Sequence, residues 1–84
     1  DNGQKEVAVF LIKKGAKLNE KADFNGMTAL HFASKNGSTE LINLLIQSGA
    51  RLEISDNDGF TPLWTSAFNN RQDTFDLLLK KGAK

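Results

Sequence analysis

A single histidine, His31, stands in a chain of 84 residues that has no cysteine. Metal binding or base catalysis by His31 would need partner residues at suitable spacing, and none accompanies it. Asn36-Gly37-Ser38 fits the acceptor pattern for N-glycosylation. The same Asn and Gly also stand where two helices must part, and the chain opens with no secretory-signal layout, so a backbone role is expected. Glu6, Glu40 and Asp73 recur at one position of a repeat. They open helices, where negative charge complements the helix dipole; that reading outweighs a general acid–base pair. There is no glycine-rich phosphate loop after a strand and no nucleophile–base signature. No catalytic, cofactor-binding or metal-binding residue is therefore expected.

Eighty-four residues is one domain or part of one, and a single core of that size is marginal. The absence of cysteine rules out disulfides and thiolate metal sites, and fits a reducing compartment. Eleven basic and ten acidic residues leave a net charge of +1. The lysines are interleaved with acids, so the basic stripe of a phosphate-binding face is missing and nucleic acid is not expected as a partner. No apolar run approaches the roughly 18 residues that span a bilayer. The expectation is a soluble chain that works inside the cell, in the cytoplasm, with no membrane partner.

The strongest signal is a period. Lys13-Lys14-Gly15-Ala16-Lys17 returns as Lys80-Lys81-Gly82-Ala83-Lys84, with Gln47-Ser48-Gly49-Ala50-Arg51 between them; the glycines at 15, 49 and 82 are 34 and 33 residues apart. Gly26-Met27-Thr28-Ala29-Leu30 recurs as Gly59-Phe60-Thr61-Pro62-Leu63, and the apolar runs around Val9, Leu44 and Leu77 keep the same beat. Thr28 and Thr61 can cap helices, and Pro62 suits a first helical position. One helix is predicted from about Ala29 to Lys35 and its copy from Pro62 to Phe68. Asn36-Gly37 and Asn69-Asn70 tolerate positive φ and break them. A second helix follows at about Thr39 to Gln47, and again at Gln72 to Lys80. Its wide apolar face suits packing on two sides. Glycine then ends it in the left-handed region, with lysines complementing its C-terminus. Asn25-Gly26 and Asp58-Gly59 signal tight turns of an extended hairpin. Each unit reads as helix, turn, helix, hairpin.

On these residues the chain resembles the ankyrin-repeat family. Thr28-Ala29-Leu30-His31-Phe32-Ala33 and Thr61-Pro62-Leu63-Trp64-Thr65-Ser66 look like its TPLHxA motif, and Gly49-Ala50-Arg51-Leu52-Glu53 is similar to its GADVN segment. The resemblance covers essentially the whole chain. It implies an all-α fold, an α-solenoid of helix-turn-helix units joined by β-hairpin loops, and protein binding rather than catalysis. The units are expected at 1–25 (a second helix plus hairpin), 26–58, and 59–84 (lacking its final hairpin). Departures from the pattern are an extra residue between Asn19 and Asp23, Ala29 for the motif proline, Trp64 for the motif histidine, and polar Thr65, Ser66 and Thr74. The extra residue is expected to bulge or displace the first hairpin tip. The resemblance makes His31 a hydrogen-bonding residue at a helix start, and Trp64 a structural residue, half-buried with its N–H satisfied. Asn19 sits where hydroxylation is known in the family; a turn-stabilising role is the expectation here.

Members of the family bind partners with hairpin tips and the concave face of the first helices. Carried over, that surface is Phe24, Asn25, Met27, Lys35 and Asn36 in one unit and Ser55, Asn57, Asp58, Phe60, Phe68 and Asn69 in the next. It forms an apolar strip flanked by Lys35, Asp56 and Asp58, set against a reading in which Met27 and Phe60 are half-buried under a neighbouring hairpin. The expected function is a protein–protein interaction module, a fragment of a longer array, with a protein partner and self-association through open repeat ends as a further possibility. The alternatives are a structural scaffold or spacer, repeats that target an enzyme whose catalytic domain lies elsewhere, and a polar C-terminal cap for the last unit.

Overall fold

The computed structural model describes residues 18–84, so expectations for the first helix, the first KKGAK and Glu6 lie outside the described residues. Four helices follow in order: α1 (Ala29–Asn36), α2 (Thr39–Gln47), α3 (Pro62–Phe68) and α4 (Gln72–Lys80). Each matches the predicted span to within a residue. They pair as α1 with α2 and α3 with α4, and the pairs stack through α1 on α3 and α2 on α4. Leu30, Ala33, Ile42, Leu45, Ala50, Leu63, Leu78 and Ala83 form one buried cluster across both pairs.

Local chemistry accounts for the ends of these helices. Gly37 stops α1 in the left-handed region at φ 73°, and Asn70 does the same after α3 at φ 56°. Gly49 and Gly82 follow α2 and α4 at φ 105° and 103°. The next amide then reaches back to the helix, Ala50 N to Leu45 O at 2.9 Å and Ala83 N to Leu78 O at 3.0 Å. That wrap turns both alanine methyls into the core, which explains why alanine as well as glycine persists in the repeated segment.

Among the described residues the hairpins form no strand. Each closes with a single cross-connection outside its tip, Ala22 N to Met27 O at 2.9 Å and Asp56 N to Phe60 O at 2.8 Å, which is too little for a ladder. The first loop is one residue wider than the second, as the extra residue before Asp23 leads one to expect. The tips are tied to each other by Asn57 N to Asn25 O at 2.9 Å. Gly26, at φ 73°, permits that approach: a Cβ there would overlap the Asn57 side chain and lie 2.9 Å from Asn57 N. Gly26→Ala is therefore expected to cost about 2 kcal/mol from left-handed strain and lost docking, read as a lower urea midpoint. An unchanged midpoint would show that the two tips move freely.

Hairpin bases are also bridged. Asn19 accepts Arg51 N at 2.7 Å and donates to Gly49 O at 3.3 Å, so both ends of its amide are used structurally. Glu53, one unit on, accepts Lys84 N at 3.0 Å.

Candidate partner-binding surface

His31 organises the joint between units. It sits at the third position of α1 and is fully buried. Its Nδ1 accepts the Thr28 backbone N–H at 3.0 Å and lies 2.9 Å from Thr28 Oγ1. Its Nε2 lies 2.8 Å from the Phe60 carbonyl, in the next hairpin. A carbonyl only accepts, so Nε2 carries the proton and Nδ1 is left free to accept. One neutral ring thus caps its own helix and grips the neighbouring unit. The hydrogen-bonding role expected for His31 is what the geometry shows.

The second copy differs. Thr61 precedes α3 but makes no side-chain cap, and its buried Oγ1 has no partner. Trp64 at the histidine position also ends the reciprocal half of the capping box: an indole N–H only donates, so it cannot hold the Thr61 backbone N–H as His31 Nδ1 holds that of Thr28. Trp64 is 53% exposed, and its N–H has no partner among the described residues. The exposed ring is open to water, so its N–H needs no partner within the fold.

The eleven carried-over surface residues divide by burial. Among the described residues Phe24 and Phe68 are the most open large apolar ones, at 79% and 77% exposed. Phe60 is 37% exposed and stacks on Phe68, with ring centroids 5.7 Å apart and planes at 30°. Lys35, Asn36, Ser55, Asn57 and Asp58 are exposed around them. Three residues point elsewhere. Met27 is only 9% exposed, and the Asn25 amide lies against its sulfur at 3.2 Å. Asn25 also accepts Met27 N at 3.0 Å. Asn69 is half-buried and donates to Thr65 O at 2.8 Å, holding the end of α3. Met27, Asn25 and Asn69 therefore shape the backbone beneath the surface. The tip carrying Asp56 is preset: Asp56 Oδ1 accepts both Asp58 N and Phe60 N at 2.9 Å, fixing the loop that presents Asp58 and Phe60.

Sequence reasoning missed Arg71. Its Nε donates to Lys35 O at 3.0 Å, and its side chain passes within 3.0 Å of where a Cβ on Gly37 would stand. A basic residue after an inter-helix turn, one period beyond an Asn-Gly break, was the available signal. Among the described residues no three His, Asp or Glu gather into a metal-binding group, and no helix is long and apolar enough to cross a membrane.

Comparison with known proteins agrees with the architecture. The sequence matches the family described as Ankyrin repeats (3 copies) over residues 1–84. It is 35% identical to human BCL-6 corepressor-like protein 1 over 96% of this chain and 4% of that protein. It is 33% identical to mouse Protein fem-1 homolog A-like, over 94% of this chain and 12% of that one. Tyrosine-protein kinase HTK16 of Hydra vulgaris is 36% identical over 70% of this chain and 8% of its own length. The chain thus spans a small part of each of these relatives. Stacked helix pairs, tip-to-tip hairpins and a family match over its full length agree: this chain belongs to the ankyrin-repeat family.

Proposed function

We propose that this chain is a protein–protein interaction module that binds a partner protein through its hairpin tips and the adjoining face of its first helices, as a segment of a longer intracellular ankyrin array. Ankyrin repeats in general bind proteins and are not catalytic, which supports the class of function. The observation that carries the site is the pair of open phenylalanines, Phe24 on one tip and Phe68 stacked on Phe60 in the next unit. Exposed aromatics set among polar residues are what a partner's pocket can desolvate. The mechanism is rigid-surface recognition. The tips are held to each other and by Asp56 before any partner arrives, so little conformational entropy is lost on docking.

Phe24→Ser combined with Phe68→Ser is the direct test. Partner affinity, measured by surface plasmon resonance, is expected to fall at least tenfold, since aromatic anchors contribute about 2 kcal/mol or more each. Both side chains are largely exposed, so the circular dichroism spectrum and the melting temperature should change little. Undiminished binding by the folded double variant would reject this strip as the interface.

A further inference from the structure

One turn presents a carboxylate and a pair of aromatic rings together. Asp56 Oδ1 accepts Asp58 N and Phe60 N, both at 2.9 Å, so a single oxygen fixes Asp58 relative to Phe60. Phe60 in turn stacks on Phe68, whose side chain is 77% exposed. The carboxylate of Asp58 is exposed and has no bonding partner among the described residues. It is not spent on building the turn, as that of Asp56 is.

Charge around this turn is one-sided. The hairpins at 19–27 and 52–60 hold Glu20, Asp23, Glu53, Asp56 and Asp58 against Lys21 alone, in a chain whose net charge is +1. Among the described residues the balancing cations stand elsewhere. Arg51 follows α2, Lys80 closes α4 with Lys81 and Lys84 after it, and Arg71 is committed to the Lys35 carbonyl. Lys35 is the cation on the candidate face, and its copy 33 residues on is Phe68. Where the earlier unit presents a positive charge, the later one presents a ring.

An aromatic face attracts a cation through its quadrupole, and a guanidinium can stack there while its fork of N–H donors meets a carboxylate. A neutral apolar side chain would cover the rings but desolvate Asp58 without a partner. An acidic one would meet like charge on both hairpins.

We propose that Asp58, Phe60 and Phe68 form a guanidinium site, and that the segment it takes is an extended, arginine-bearing stretch of a partner protein. The arginine stacks on the Phe60–Phe68 pair and its N–H groups reach the Asp58 carboxylate. The acidic hairpins draw in the rest of the segment by longer-range attraction. The proposal rests on the tip-and-helix surface described above and names the chemistry that surface recognises.

The probe is a short fluorescent peptide of Arg, Leu and Ser, with counterparts in which Lys, citrulline or Glu replaces every Arg. Citrulline keeps the planar shape of arginine and loses its charge. Fluorescence anisotropy is expected to show the Arg peptide binding several-fold more tightly than the Lys peptide and about tenfold more tightly than the citrulline peptide, with the Glu peptide unbound. Added salt should weaken the Arg peptide and leave the citrulline peptide unchanged. Asp58→Asn should weaken Arg-peptide binding several-fold at an unchanged melting temperature, because that carboxylate holds nothing within the fold. Phe68→Leu should keep the apolar cover and erase the preference for Arg over Lys. An Arg peptide that does not bind, or binds no better than its citrulline counterpart, would overturn the proposal, as would undiminished binding by Asp58→Asn. The two readings fail separately. A citrulline peptide that binds as well as the Arg peptide, and is lost from the chain carrying both Phe24→Ser and Phe68→Ser, keeps the strip as the interface and removes the arginine. Arg-peptide binding that survives that double change removes both.

Discussion

Replacing His31 with alanine is expected to destabilise the fold by about 3 kcal/mol. The ring is fully buried and serves two backbone groups at once, the Thr28 N–H at 3.0 Å and the Phe60 carbonyl at 2.8 Å. Truncation leaves both without a partner, and a buried unsatisfied group costs about 1–3 kcal/mol. It also removes the His31 half of the capping box of α1, leaving only the Thr28 side-chain bond, and opens a void between the units. A domain of this size is stable by about 4–13 kcal/mol, so the loss is a large share of the total. Equilibrium urea denaturation measures it as a lower midpoint at an unchanged slope. A drop in the slope as well would indicate that α3 and α4 no longer unfold with α1 and α2. A loss below about 1 kcal/mol would mean that water replaces both bonds, which the burial argues against.

Ile42→Ala is expected to cost a similar amount, about 3 kcal/mol, by a different mechanism. Ile42 is completely buried within the cluster that joins Leu30 and Leu45 to Leu63 and Leu78 across the two helix pairs. Removing three buried carbons forfeits their transfer free energy and opens a cavity that the close-packed neighbours cannot fill. The copy of this position supplies the control. Phe75 is the larger side chain but is only half-buried, so Phe75→Ala should be the milder change despite deleting more atoms. Both are read from urea midpoints. A greater loss at Phe75 than at Ile42 would show that the second helix pair, not the shared cluster, holds the stability.

Much of this fold was legible because its signals are short-range. A glycine or asparagine needed at positive φ is visible in any five-residue window, which is why Gly37, Gly49, Asn70 and Gly82 mark the helix ends correctly. The period of 33 multiplied that evidence by repeating it. The hairpins were less legible. A tight-turn signal was present at Asn25-Gly26 and Asp58-Gly59, but whether a ladder forms around it depends on where the backbone groups find partners. Here Asn57 N turns to the neighbouring tip. Thr61 looked as good a cap as Thr28, but its side chain makes no bond, and Trp64 three residues later supplies no acceptor for its backbone N–H.

The candidate surface was legible as positions and not as burial. Repeat register marked Phe24, Asn25, Met27, Lys35 and Asn36 as equivalent to exposed family positions. Register cannot say that Met27 folds under Asn25 while Phe68, at the position of Lys35, stands open and stacks on Phe60. Those outcomes depend on which side chain the adjoining unit presses against.

By itself the sequence determined the helix spans, the turns, the register of the units and the family, because each follows from backbone preferences and periodic apolar spacing within a few residues. Only the tertiary structure decided that His31 bonds across the joint and that Arg71 fills the space over Gly37. Each of these is set by contact between residues about 30 or more apart in sequence, and the free energy of such contacts depends on what a neighbouring unit removes from water.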